Sequence, residues 1–295
     1  MSGCTLCPRL CGVDRSSGSK HGFCGMGGEP VIARAALHFD EEPCISGSRG
    51  SGAIFFSGCT LRCVFCQNEP ISHGEYGAAV TVSRLRAIME RLAVDEEAHN
   101  INLVTGTHFV TPILEALDQP IGVPVVWNSS GFERVETLKA LEGKVQVYLP
   151  DFKFMDPALS SRLCRASTYP AVAKKAILEM ARQVGAPQFD DEGVMTRGLM
   201  VRHLILPGHT DDSMAILDWI SDYLPPGTYV SLMAQYMPCG HASSHPDIDR
   251  RLTQDEYDEV VDHLVGLGLD DGYVQELSSA SETYIPKFDL TGVLE

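Results

Sequence analysis

The sequence predicts an α/β fold built on parallel strands, preceded by a separate cysteine-rich head. Three observations carry this. From about residue 52, short apolar runs alternate with longer amphipathic ones. Six such runs occur with helical stretches between them, and parallel strands need crossovers of that length. The first fifty residues lack the rhythm and are rich in Gly, Ser and Cys.

The strands are expected at 53–56, 101–104, 123–127, 145–149, 200–206 and 228–233. The first helix is expected over 82–93, with Leu85, Ile88, Met89 and Leu92 on one face. The next should open at Thr111-Pro112, with Thr as N-cap and Pro in the first helical position. Further helices are expected over 133–141, 158–164, 172–184 and 213–223, where Thr210-Asp211-Asp212 supplies acids for the N-terminus. A last helix, 254–267, precedes a tail. The units are therefore a head over 1–50, a βα body over 51–250, and a C-terminal helix and tail over 251–295. Periodicity alone admits a barrel, a partial barrel or an open doubly wound sheet.

The chain has 295 residues, of which 44% are hydrophobic, enough for a full core. Its net charge is −16, which argues against nucleic acid and anionic membranes as partners, since both need a basic face. The head itself is balanced, with Arg9, Arg15, Lys20, Arg34 and Arg49 against Asp14, Glu29, Asp40, Glu41 and Glu42. No apolar run reaches membrane-spanning length, and the N-terminus has no basic-then-apolar leader, so a cytoplasmic location is expected.

A reducing compartment makes clustered cysteines metal or catalytic ligands rather than disulfides. Eight of the ten cysteines fall within the first 66 residues. Cys59, Cys63 and Cys66 have the spacing C-x3-C-x2-C directly after the first buried strand. Three thiolates in so compact a loop can hold one face of a [4Fe-4S] cube and leave the fourth iron open. Zinc or plain core cysteines are the alternatives, but structural zinc takes four protein ligands and no fourth cysteine follows closely.

This loop, in a six-fold βα chain, resembles the radical S-adenosylmethionine (SAM) superfamily. Within it the chain is most similar to the pyruvate formate-lyase-activating enzyme family, the glycyl-radical-activating branch. The resemblance rests on Cys59 to Cys66, Trp127-Asn128-Ser129-Ser130-Gly131-Phe132, Asp151-Phe152-Lys153 and Val201-Arg202-His203-Leu204-Ile205-Leu206-Pro207-Gly208, spanning about 50–240. It implies a partial (β/α)6 TIM-type barrel with SAM at the C-terminal strand ends. It also implies SAM chelated to the open iron, cleaved by one electron to a 5′-deoxyadenosyl radical.

The resemblance further implies cofactor contacts. Phe65 matches the aromatic position whose backbone meets adenine, beside a packing role. After strand two the family carries Gly-Gly-Glu for the SAM amino group; here Thr105-Gly106-Thr107-His108 lacks the carboxylate, leaving hydroxyls and carbonyls as acceptors. His108 reads as a polar loop residue. Asn128-Ser129 stands where the family has Asp-Thr. Asp151 and Lys153 match Asp-x-Lys, the aspartate organising a cation near the SAM carboxylate and the lysine lying close to SAM; a surface ion pair is the alternative. Arg202, inside an apolar strand, would read the SAM carboxylate or form a structural ion pair.

Cys4, Cys7, Cys11 and Cys24 are spaced C-x2-C-x3-C-x12-C in a head without a core. Four thiolates there can hold zinc or a second [4Fe-4S] cluster, and metal binding would supply folding energy; free cysteines are the alternative. The extension, and the ending Ile285-Pro286-Lys287-Phe288-Asp289-Leu290-Thr291-Gly292-Val293, resemble an activating-enzyme-like branch with a Cys-rich N-terminus. Cys44 and Cys164 read as packed core residues. Cys239, His241 and His245, after strand six, read as a polar loop with a metal site as the alternative.

The expectation is an enzyme that cleaves SAM and abstracts hydrogen from a partner protein or peptide, a glycine Cα among the options. An electron donor such as flavodoxin or ferredoxin is implied. The rivals are an iron–sulfur or zinc redox module without SAM chemistry, and a radical SAM enzyme acting on a small metabolite.

Overall fold

The computed structural model describes residues 3–16, 18–74, 76–279 and 286–294. Its strands are β1 (Val31–His38), β2 (Ser51–Phe56), β3 (Ala78–Ala79), β4 (Ile101–Val104), β5 (Val125–Ser129), β6 (Val147–Pro150), β7 (Gln188–Phe189), β8 (Met195–Leu204), β9 (Tyr229–Met233) and β10 (Gly272–Val274). They form one ten-stranded sheet in the order β10-β9-β8-β6-β5-β4-β2-β1-β3, with β7 against β8. From β2 to β10 every neighbour on this path is parallel. The two ends, β3 and β10, are not paired, so the sheet is an open, partial barrel. The six expected strands are β2, β4, β5, β6, β8 and β9.

The crossovers are α3 (Val82–Glu90), α4 (Val110–Ala116), α5 (Val135–Leu141), α6 (Pro157–Cys164), α7 (Tyr169–Val184) and α8 (Thr210–Tyr223), with the short α2 (Glu69–Ser72) after β2 and α9 (Gln254–Gly266) after β9. Local chemistry fixes their starts. Thr81 caps α3 by accepting from Arg84 N–H, and Asp156 caps α6 just before Pro157. Thr253 and Glu256 form a reciprocal capping box on α9. The apolar faces of these helices and the buried strands make one large core, with two smaller clusters of buried strand residues beside it. Among the described residues, no helix is long and apolar enough to cross a membrane.

Two expectations are corrected. Helix α4 begins at Val110, after a 3-10 turn over Thr107–Phe109, with Phe109 rather than Thr111 at the N-cap. Pro112 is thus the third helical residue, still within the first turn, where a missing N–H costs nothing. The segment before residue 50 is also not loop throughout. β1 pairs antiparallel with β2, and the short α1 (Pro43–Ser46) follows it. The alanines of Val31-Ile-Ala-Arg-Ala-Ala-Leu-His38 bury without an alternating signal, so the strand leaves little trace in the sequence.

The tail returns to this edge. Leu290 N–H donates to Ala33 O and Ala35 N–H to Thr291 O. Ile285, part of the expected C-terminal signature, lies outside the described residues.

Candidate active site

The C-terminal ends of the parallel strands surround a cavity of about 240 Å³. Cys59, Cys63 and Cys66 form part of its wall, in the loop that leaves β2. That loop is held from behind. Val64 N–H donates to Leu163 O in α6 at 2.9 Å, and His241 N–H donates to Val64 O at 2.7 Å. Gly58, at φ = 80°, opens the loop; a Cβ there would lie 2.7 Å from Cys24 O, so only glycine lets the head approach.

Seven of the eight cofactor positions expected outside the cysteines line the same cavity: Phe65, Thr105, Asn128, Ser129, Asp151, Lys153 and Arg202. Thr107 does not. Its buried hydroxyl donates to Glu133 Oε1 at 2.7 Å, behind the wall. Thr105 holds φ = 62°, a strained value for a β-branched residue, at the turn that meets the cavity. Phe65 packs edge-on against Phe154 and Tyr236, while its carbonyl accepts from Cys239 Sγ at 3.2 Å.

The cavity floor is an ion network. Arg202 donates through Nε to Asp151 Oδ1 (2.9 Å), through Nη1 to Glu41 Oε2 (3.0 Å) and through Nη2 to Asn128 Oδ1 (2.7 Å). The Asn128 amide in turn donates to Glu41 Oε1 at 3.0 Å. Lys153 Nζ donates to Asp151 Oδ2 at 2.6 Å. Burial alone would raise the Asp151 pKa, but Arg202 and Lys153 hold it below the usual carboxylate range. Burial raises both Glu41 and Glu42, only partly offset by Arg202. Every nitrogen of Arg202 is engaged, and so are both ends of the Asn128 amide. These two residues build the floor, whereas Lys153 and Thr105 line the space above it and the Ser129 hydroxyl accepts from Gly131 N–H.

Tyr169 ties the loops after β5 and β6 together. Its hydroxyl accepts from Lys153 N–H and lies 2.8 Å from the carbonyls of Ser130 and Asp151, one of which takes its proton. Gly131 is at φ = 72°, where a Cβ would sit 2.5 Å from Asp151 O.

Several participants escaped the sequence reading. Glu41 and Glu42 enter the sequence only as part of the head's charge balance, yet both are buried against Arg202. Cys164 is core, as expected, but its thiol also donates to Cys63 Sγ at 2.8 Å. Arg9, from the head, donates to Thr60 O at 2.8 Å and Cys164 O at 3.3 Å. His108 is a buried structural residue, its Nε2 2.8 Å from Ser57 O and its pKa lowered by burial to about 4. Cys239 and His245 do not gather with His241. Instead His241 Nε2 lies 3.5 Å from Glu69 Oε1, beside His73, in a recess also lined by Arg62 and Arg165, whose charge disfavours a cation.

Three thiols on one wall, with room beside them, fit a three-ligand [4Fe-4S] cluster. Burial raises the thiols of Cys59 and Cys66, the latter to about 12, so they ionise only against a bound metal's charge.

A family model described as the radical SAM superfamily matches residues 53–220, more than half of the chain. The chain belongs to the radical SAM superfamily. It is an enzyme of that class, whose cofactors are a [4Fe-4S] cluster and SAM. It is 32% identical over 276 residues to an uncharacterized protein of Methanocaldococcus jannaschii, covering 90% of this chain and 75% of the relative. Among solved structures it is similar to a domain of pyruvate-formate lyase-activating enzyme from Bacteroides vulgatus (13% identity, TM-score 0.40, 57% of this chain and 89% of that one). It is also similar to Streptococcus suis SuiB bound to S-adenosylmethionine (12% identity, TM-score 0.47, 75% of this chain and 49% of that one).

Proposed function

We propose that this radical SAM enzyme cleaves SAM at a cluster on Cys59, Cys63 and Cys66 and removes a hydrogen atom from a carbon of a protein or peptide, in the manner of an activating enzyme. The observation that carries the reading is the single cavity shared by the three thiols and by Lys153, Asp151, Ser129 and Thr105. Those four residues suit a zwitterion. Lys153 has ammonium protons to give a carboxylate, and the hydroxyls accept from an ammonium group. Arg202 acts through Asp151, fixing the carboxylate that orients Lys153. When bound, the cluster supplies the electron and SAM the 5′-deoxyadenosyl radical.

The substrate would meet the radical at the mouth of this cavity, which the C-terminal strand ends surround, as a partner's loop can. The reductant would be an acidic one-electron carrier such as flavodoxin or ferredoxin, meeting the outer face of the cluster loop beside Arg62 and Arg165.

The experiment is anaerobic. The protein is reconstituted with iron and sulfide, given SAM and a strong reductant, and assayed for 5′-deoxyadenosine beside Cys63→Ala. Product from the wild type alone supports the reading. A fully loaded wild type that makes none favours a redox module.

A further inference from the structure

We propose that the head holds a second [4Fe-4S] cluster, on Cys4, Cys7, Cys11 and Cys24, and not a zinc ion. The proposal concerns the head alone and stands whether or not SAM is cleaved.

The four thiols converge although the head has no core of its own. Cys4 N–H donates to Val13 O and Gly12 N–H to Cys4 O, which sets Cys4 across from the Cys11 turn. Leu10 N–H returns to Cys7 O, and Gly25 N–H returns to Gly22 O beneath Cys24. A Cβ on Gly22 would lie 3.4 Å from Cys11 Sγ and 3.8 Å from Cys24 Sγ, so this glycine leaves the space between those sulfurs open. All four cysteines line one small space, with Arg9 and Arg15 among its walls.

Spacing chooses the metal. Zinc binds thiolates at ~2.3 Å in a tetrahedron, which brings its sulfurs to about 3.8 Å from one another. Among the described residues, the one group of three His, Cys, Asp or Glu ligand atoms within 4.8 Å of each other is Glu69, His73 and His241. No three head thiols are so close. The thiols of Cys59, Cys63 and Cys66 serve as an internal reference. They belong to a [4Fe-4S] loop by family, and they too do not all lie within 4.8 Å of one another. A cube carries its thiolates on separate corners, and this wider spacing is what both sets share.

Charge and surroundings agree with a cluster. The guanidinium groups of Arg9 and Arg15 face the negative charge that four thiolates bring. Phe23 and Met26 add apolar groups to the wall of this space, and Cys7 and Met26 are buried. The second cluster would stand next to the first. Arg9 reaches from the head to Thr60 O, and Cys24 O lies against Gly58, the residue before Cys59.

The test uses the full chain carrying Cys59→Ala, Cys63→Ala and Cys66→Ala, purified anaerobically and reconstituted with iron and sulfide in the presence of zinc. Iron, sulfide and zinc are counted and the Mössbauer spectrum recorded. The expected result is about four iron and four sulfide per chain with a [4Fe-4S] spectrum. One zinc per chain without sulfide, or a folded protein with no metal, overturns the proposal. Should the triple variant not fold, the wild type decides: about eight iron per chain, falling to about four in Cys7→Ser/Cys11→Ser, supports a second cluster, and about four in both sinks it.

Discussion

Cys164 Sγ donates to Cys63 Sγ at 2.8 Å, joining the end of α6 to the middle of the cluster loop. Both residues are buried, and this contact lowers the Cys63 pKa by favouring its thiolate. A donor on a cluster sulfur favours the reduced, more negative state. Cys164→Ala should therefore lower the midpoint potential of the Cys59/Cys63/Cys66 cluster without lowering its iron content. Potentiometric EPR checks this. An unchanged potential would show that the thiol makes no such bond in the loaded protein.

Arg202 is the shared counter-charge of a buried carboxylate group. Removing it leaves Glu41 and Asp151 without their strongest partner, and breaking a buried pair on one side costs about 3–5 kcal/mol. Arg202→Ala should lose stability on that scale in chemical denaturation. Adding Glu41→Gln should recover part of the loss, because one stranded charge is gone. Equal stability of the single and double variants would contradict the network.

Glu133 makes stability depend on pH. Burial raises its carboxyl from 4.5 to about 7, and Oε2 has no hydrogen-bond partner. Between those values the folded chain keeps a proton that the unfolded chain has released. Stability should therefore fall as pH rises from 4.5 through 7, by on the order of 3 kcal/mol at most. Glu133→Gln should flatten this part of the profile. Melting curves across that window decide, with Asp151 as the charged group whose field also raises Glu133.

Arg9 clamps the head onto the cluster loop. Its guanidinium lies 3.7 Å from the Phe23 ring centroid and donates to Thr60 O and Cys164 O. Arg9→Lys keeps the charge but loses the fork. Chelator should strip iron from the Cys59/Cys63/Cys66 cluster faster in Arg9→Lys than in the wild type, and faster again in Arg9→Ala. Identical rates in all three would show that the clamp does not protect the loop.

The sequence by itself determined the cluster loop, the six parallel strands and the strand-end positions of Thr105, Asn128, Ser129, Asp151 and Lys153. These are local features: a spacing of cysteines, an apolar run, a polar residue just after it. Only the tertiary structure decided which polar groups face the cavity and which are consumed in building it. Arg202 meets Glu41 across 161 positions of sequence, and Cys164 meets Cys63 across 101. Thr107, two residues from the cavity-lining Thr105, turns behind the wall to Glu133. A buried ion network is specified by who arrives opposite each charge once the sheet has curled, because desolvation makes an unpaired partner costly, and no periodicity in the chain records that meeting.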